Sequence, residues 1–108
     1  ADYATASAQA DAVGARLAEF DALVGADVRA RMLDLESGRA AMSASDDAVA
    51  ASTEARRVVE ERFRAGVATS TDVLDAQVAL LEAELERTML FAQLRWSEAR
   101  LLRALGAL

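Results

Sequence analysis

Two aspartates, Asp72 and Asp75, stand three residues apart, just after the hydroxyl run Thr69, Ser70, Thr71 and close behind Gly66. Carboxylates spaced like this can do acid–base work, attract cations, or compensate a helix terminus. The rest of the chain gives them no catalytic help. It has no His and no Cys, which excludes Ser-His-Asp and Cys-His relays, thiol chemistry, disulfide frameworks and the usual zinc sites. The segment GVATST lacks the second Gly and the Lys of a phosphate-cradling loop. Glycosidase-type carboxylate pairs face each other across a cleft, whereas these two share one turn. The expectation is therefore no enzyme, no catalytic residue, no cofactor and no metal, with both carboxylates compensating a helix start as the plainest role.

The elements that hold this turn are read as helices. The chain has 108 residues and no Pro, so it fits one domain and lacks the commonest helix breaker. Ala, Leu, Glu and Arg dominate, all good helix formers, and aromatics make up 5%. The net charge is −6, which argues against a nucleic-acid surface. No apolar run approaches the roughly 20 residues of a membrane-spanning helix. The opening ADYATASAQADAV has neither the basic start nor the apolar centre of a secretory leader. With no initiator Met and a start in mid-pattern, the chain is expected to be a piece of something longer.

In the first segment, Val28, Leu35, Met42 and Val49 recur every seven residues, broken by Arg56 and resumed at Phe63. Met32 and Thr53 supply offset positions, giving the partial 3-4 alternation of a coiled-coil seam. Ala40, Ala44, Ala48, Ala51 and Ala55 flank it with small residues that admit close neighbours. An earlier stripe reads Val13, Leu17, Phe20, Val24. Gly14, Gly25 and Gly38 weaken the helix by about 1 kcal/mol each, with Gly25 the expected place for any bend. The second segment carries two apolar stripes. One reads Leu74, Val78, Leu81, Leu85, Met89, Ala92, Trp96, Ala99. The other reads Val73, Leu80, Ala83, Leu90, Leu94, Leu101. Together they exceed what one antiparallel partner can cover. The reading is an all-α, long antiparallel helical hairpin: helix one over about 4–65, a turn at 66–71, and helix two over about 72–105, stopped by Gly106. Helix one is the longer, so residues 1–28 must fold back, pair with another chain, or lie beside elements outside this sequence.

The turn is expected to be chemically self-sufficient. Gly66 suits the positive φ of a helix C-terminal cap. Thr69, Ser70 and Thr71 offer hydroxyls to the next helix, and Thr69 and Asp72 have capping-box spacing.

Pattern alone stops at a helical interaction module, and resemblance carries the reading further. The run EERFRAGVATSTDVLDAQVALLEAELERTMLFAQLRWSEARLLRALG resembles the last repeat of TolC-type outer-membrane efflux proteins. The shared features are Phe63, Gly66, the segment Asp72-Val73-Leu74-Asp75-Ala76, Leu81, Ala83 to Leu85, and Leu105-Gly106. The match is good over residues 54–106, and residues 1–53 agree only in helical character and length. The resemblance implies a C-terminal-half hairpin of a homotrimeric channel, in which an outer-membrane β-barrel, absent from this stretch, continues into a periplasmic tube of helices. It implies a passive exit duct for efflux or type I secretion, docked by a periplasmic adaptor and served indirectly by an inner-membrane transporter. Asp72 and Asp75 would border the aperture, where rings of carboxylates favour cations. Phe63, Gly66, Val67, Ala68 and Thr69 would form the tip and meet the adaptor. Phe63 stands where relatives carry a Tyr hydroxyl and Ala68 where they carry a basic residue, so a gate tied by those bonds is not carried over. The simpler role of Phe63 is a core residue.

Two other readings compete. A periplasmic adaptor also bears a long helical hairpin, but no Arg-Leu pair of the kind adaptor tips carry stands by this turn. A coiled-coil scaffold without a transport role would dimerise through one narrow seam.

Overall fold

With no Pro and three widely spaced glycines, the first segment has nothing to end it before Gly66. The computed structural model describes residues 2–106, with helix α1 over Asp2–Arg64 and helix α2 over Ser70–Leu105. They form a long antiparallel hairpin, α1 the longer, with no strand among the described residues. Helix α1 has 63 residues, which at about 1.5 Å per residue spans about 95 Å. The longest dimension of the whole hairpin is 96 Å, so no bend at Gly25 shortens the rod appreciably.

The seam between the helices follows a heptad. On α1 it takes Val28, Leu35, Met42, Val49 and Arg56 at one position and Val24, Arg31, Gly38, Ser45, Ser52 and Val59 at the other, none of them exposed. The sevenfold series thus lies at the seam as far as Arg56, while Phe63 is 48% exposed. The offset positions differ from the expected Met32 and Thr53, which are both exposed. Between Val24 and Val59 those places are filled by Arg31, Gly38, Ser45 and Ser52, which apolar periodicity does not register. Gly38 shows why small residues are there: a Cβ on it would stand 3.3 Å from Leu94 Cδ1 and 4.0 Å from Leu94 Cα. Ser45 is among the most buried residues, and its Oγ donates to the Met42 carbonyl at 2.7 Å, so its hydroxyl is satisfied. Arg56 interrupts the seam with its Nε buried and without a hydrogen bond, the Glu60 carboxylate lying 3.7 Å away. The flanking series Ala40, Ala44, Ala48, Ala51 and Ala55 is exposed.

Helix α2 presents Val73, Ala76, Leu80, Ala83, Leu90, Leu94, Ser97, Leu101 and Ala104 to α1, with Leu80 and Ala104 buried. Arg87 occupies the remaining seam position and reaches across to Asp46 in an ion pair that ties the two helices directly. The other apolar stripe of α2 stays outside: Leu74, Val78, Leu81, Leu85, Met89 and Trp96 are 45–66% exposed. In the heptad set by the seam these fall at b, c and f, the side turned away from α1. Helix α2 therefore has two opposed apolar faces, and α1 covers one.

Helix α2 has 36 residues, or about 54 Å, and leaves roughly 40 Å of α1 without a partner. Residues 2–23 do not fold back; they continue the helix, and every one is exposed. The stripe Val13, Leu17 and Phe20 thus faces solvent at 56–60% exposure.

Replacing Gly38 by Leu is expected to lower stability by about 1–2 kcal/mol, because overpacking against Leu94 exceeds the gain in helix propensity. Gly14→Ala, where an added methyl meets nothing within 4 Å, should instead raise helicity. Urea unfolding followed by circular dichroism reads both; a Gly38→Leu chain as stable as the parent would show that the backbones are not closely apposed.

Candidate functional site

The tip is built by closing one helix and opening the next within five residues. At the end of α1, Gly66 takes φ +79°, the one positive φ among the described residues. Its N–H donates to the Phe63 carbonyl at 3.0 Å, and the Val67 N–H donates to the Arg62 carbonyl at 2.8 Å. These two bonds are a Schellman closure, which satisfies carbonyls that the helix end would otherwise strand. Arg62 and Arg64 lie in the last turn, where cations suit the carbonyl end of the dipole.

Helix α2 then starts at Ser70, two residues ahead of the expected 72, because Thr69 is the cap. The Thr69 hydroxyl accepts from the Asp72 N–H at 3.1 Å, and the Asp72 carboxylate accepts from the Thr69 N–H at 2.9 Å. That reciprocal pair is a capping box with Asp in place of the usual Glu. The Thr69 backbone N–H, followed by its hydroxyl, holds the Asp72 carboxyl below the ordinary aspartate value. Asp72 is the acidic residue of the first turn; Asp75 lies a turn further on, outside the reach in which a helix start is compensated. The two carboxylates thus have different local duties. Asp72 is turned back onto the cap, and Asp75 is exposed and enters no ion pair among the described residues.

Both line a shallow groove on the flank of the tip with Val59, Arg62, Val67 and Ala68. Val67 is 77% exposed, an apolar side chain held out at the apex. Gly66 and Thr69 are exposed and Ala68 half-buried. The tip therefore gathers Val67, Ala68, Asp72 and Asp75 into one surface, while Phe63, on the preceding turn of α1, is half-exposed. Sequence reading passed over Arg62 and Val59. The available signal was the turn itself: a five-residue reversal brings the residues one turn before Gly66 beside those one turn after Thr69. Chemically, the groove offers two carboxylates, one guanidinium and apolar contact. It contains no nucleophile–base pair, and among the described residues no group of acidic side chains could hold a metal ion.

The sign of the pH dependence follows from the depressed Asp72 carboxyl. Its contribution to stability is fully present above the unfolded aspartate value of about 3.9 and is lost as pH falls through the lower folded value. Glu54, held down in the same direction by its hydrogen bond to Arg57, adds to the acid sensitivity, so Asp72 must be isolated by difference. The Asp72→Asn chain should lose the Asp72 part of the acid-dependent slope in urea unfolding, and Thr69→Ala should cost about 1 kcal/mol at neutral pH. Identical slopes for parent and Asp72→Asn would show that the carboxylate is not part of the cap.

The family model for outer membrane efflux proteins covers residues 1–107. It takes in α1 as well as the turn and α2, although the first half is recognisable by eye only as helix. Neither comparison, with curated proteins or with solved structures, finds a match. Among the described residues no helix is long and apolar enough to cross a membrane. A match across both arms and the turn is decisive for kinship: the chain belongs to the outer membrane efflux protein family, whose members act as transport channels.

Proposed function

We propose that this chain is the C-terminal-half periplasmic hairpin of a trimeric outer-membrane exit duct, a stave in the wall of a helical tube. The observation that carries the reading is the pair of opposed apolar faces on α2, one covered by α1 and the other open along Leu74, Val78, Leu81, Leu85 and Met89. A helix in a two-helix hairpin needs one such face, and a helix in a closed wall needs one toward each neighbour. The family match supports the same assignment. The scaffold alternative calls for one narrow seam and an otherwise polar surface, which this helix does not have.

In this role the chain does no chemistry of its own. The tip forms the periplasmic aperture, and energy comes from a separate inner-membrane transporter. An adaptor docks on Phe63, Gly66, Val67, Ala68 and Thr69, where exposed Val67 supplies apolar contact. Asp72 and Asp75, repeated by threefold symmetry, make the aperture attractive to cations. Because Asp72 is engaged by Thr69, Asp75 is the freer charge. The β-barrel that reaches the membrane lies outside this stretch.

Two experiments in the full-length protein test the proposal. Asp75→Asn should weaken cation preference in planar-bilayer recordings more than Asp72→Asn does; unchanged selectivity in both variants would discard the carboxylate ring. Leu81→Glu with Leu85→Glu should abolish trimer assembly while the isolated hairpin stays helical. Normal trimers from that variant would remove the tube-wall reading itself.

A further inference from the structure

The end of the paired region opposite the turn carries a second concave surface. Asp27 and Arg31 of α1 and Trp96, Ala99, Arg100 and Arg103 of α2 line a groove there. Trp96 is the only Trp of the chain and is 66% exposed. Arg100 follows it by four residues and Arg103 by seven, so the indole and both guanidiniums fall along one side of the helix. Ala99 between them is small and leaves the floor open.

The charges in this groove are unevenly matched. Arg31 is held by Asp27 at 3.4 Å and by Asp34 at 3.3 Å. On the neighbouring turn, Arg95 is held by Glu98 at 3.1 Å and lies over the Phe91 ring. Among the described residues neither Arg100 nor Arg103 enters an ion pair, in a chain whose net charge is −6. Arg103 lies in the last turn of α2, where a cation offsets the carbonyl end of the helix. That accounts for Arg103, but not for Arg100 or for a bare indole beside it.

We propose that this groove binds an amphipathic anion, an oxyanion head carried on an apolar body. The head sits between Arg100 and Arg103, whose planar, always-charged guanidiniums suit oxyanions better than ammonium groups do. The body lies on the Trp96 indole and over Ala99, where an aromatic face offers apolar area at little entropic cost. Arg31, already neutralised by two carboxylates, forms the wall and not the anchor.

The single Trp makes the test direct. Dodecyl phosphate, kept below its micelle concentration, is titrated into the 108-residue chain while Trp96 fluorescence is followed. A saturable blue shift is expected, and Arg100→Gln with Arg103→Gln should weaken binding at least about tenfold with helicity by circular dichroism unchanged. Inorganic phosphate and the neutral dodecyl maltoside should each leave Trp96 unaffected at the same concentrations, and vesicles of phosphatidylglycerol in phosphatidylcholine separate a free ligand from a lipid surface. A response to phosphate alone would make this a simple anion site, an equal response to the maltoside would reduce it to an apolar patch, and a response to vesicles without one to the monomer would make it surface adsorption. Each of these outcomes overturns the proposal, as would an undiminished shift in the double variant.

Discussion

One helix can hide only a single stripe of another, and that limit governs the hairpin. The α1–α2 seam uses its one opportunity for closeness instead of bulk. Gly38, Ser45 and Ser52 bring α1 in tight, and among the described residues Leu80 and Ala104 of α2 are the only buried hydrophobics. The larger side chains of the other stripe, from Leu74 through Met89, are left outside. A core this thin gives little stability by itself, since small domains hide too small a share of their apolar surface. The arrangement makes sense when the remaining surface is to be hidden by assembly.

The turn obeys a complementary rule: the hydrogen bonds that cap its two helix ends are all made locally. The Schellman closure at Gly66 and the capping box of Thr69 and Asp72 complete both helix ends without recruiting a distant side chain. A tip finished in this way keeps its shape as a unit and leaves Val67 and Asp75 free to meet something else. Membership in the outer membrane efflux protein family is consistent with such a terminal, chemically quiet surface. The ion pairs contribute little by comparison. Arg57 clasps Glu54 and Glu61 in the turns leading into the tip, but pairs this exposed mainly bias side-chain geometry.

How much of this was legible depends on the kind of residue involved. The hairpin, its unequal arms and the self-sufficient turn were readable, because Gly66, Thr69 and Asp72 use backbone rules that act over four residues. Both apolar stripes of α2 were readable too, but which of them faces α1 was not. That choice is made by Ala76, Ser97 and Ala104 and by Gly38 across the seam, residues with too little apolar character to mark a stripe. For the same reason Met32 and Thr53 stood in for Arg31 and Ser52. Of the tip surface, the acidic and turn residues could be named from sequence. Arg62 could not, since its nearness to Asp72 and Asp75 arises only once the chain reverses. The sevenfold series pointed to Phe63 as a seam residue, yet the seam thins out before the turn and leaves it half-exposed.

The unaccompanied stretch of α1 has a thermodynamic consequence. Where α2 lies alongside, each turn of helix is held by tertiary packing; over residues 2–23 it is held by intrinsic propensity and one neighbouring turn. Such a rod should behave as two cooperative units joined end to end instead of one two-state unit. Its amide protons should exchange fastest near Asp2 and slowest around Leu80, and a calorimetric trace should broaden toward the low-temperature side. A neighbour packed along that stretch would raise its melting, so the outermost third of the long arm would report on any contact made there.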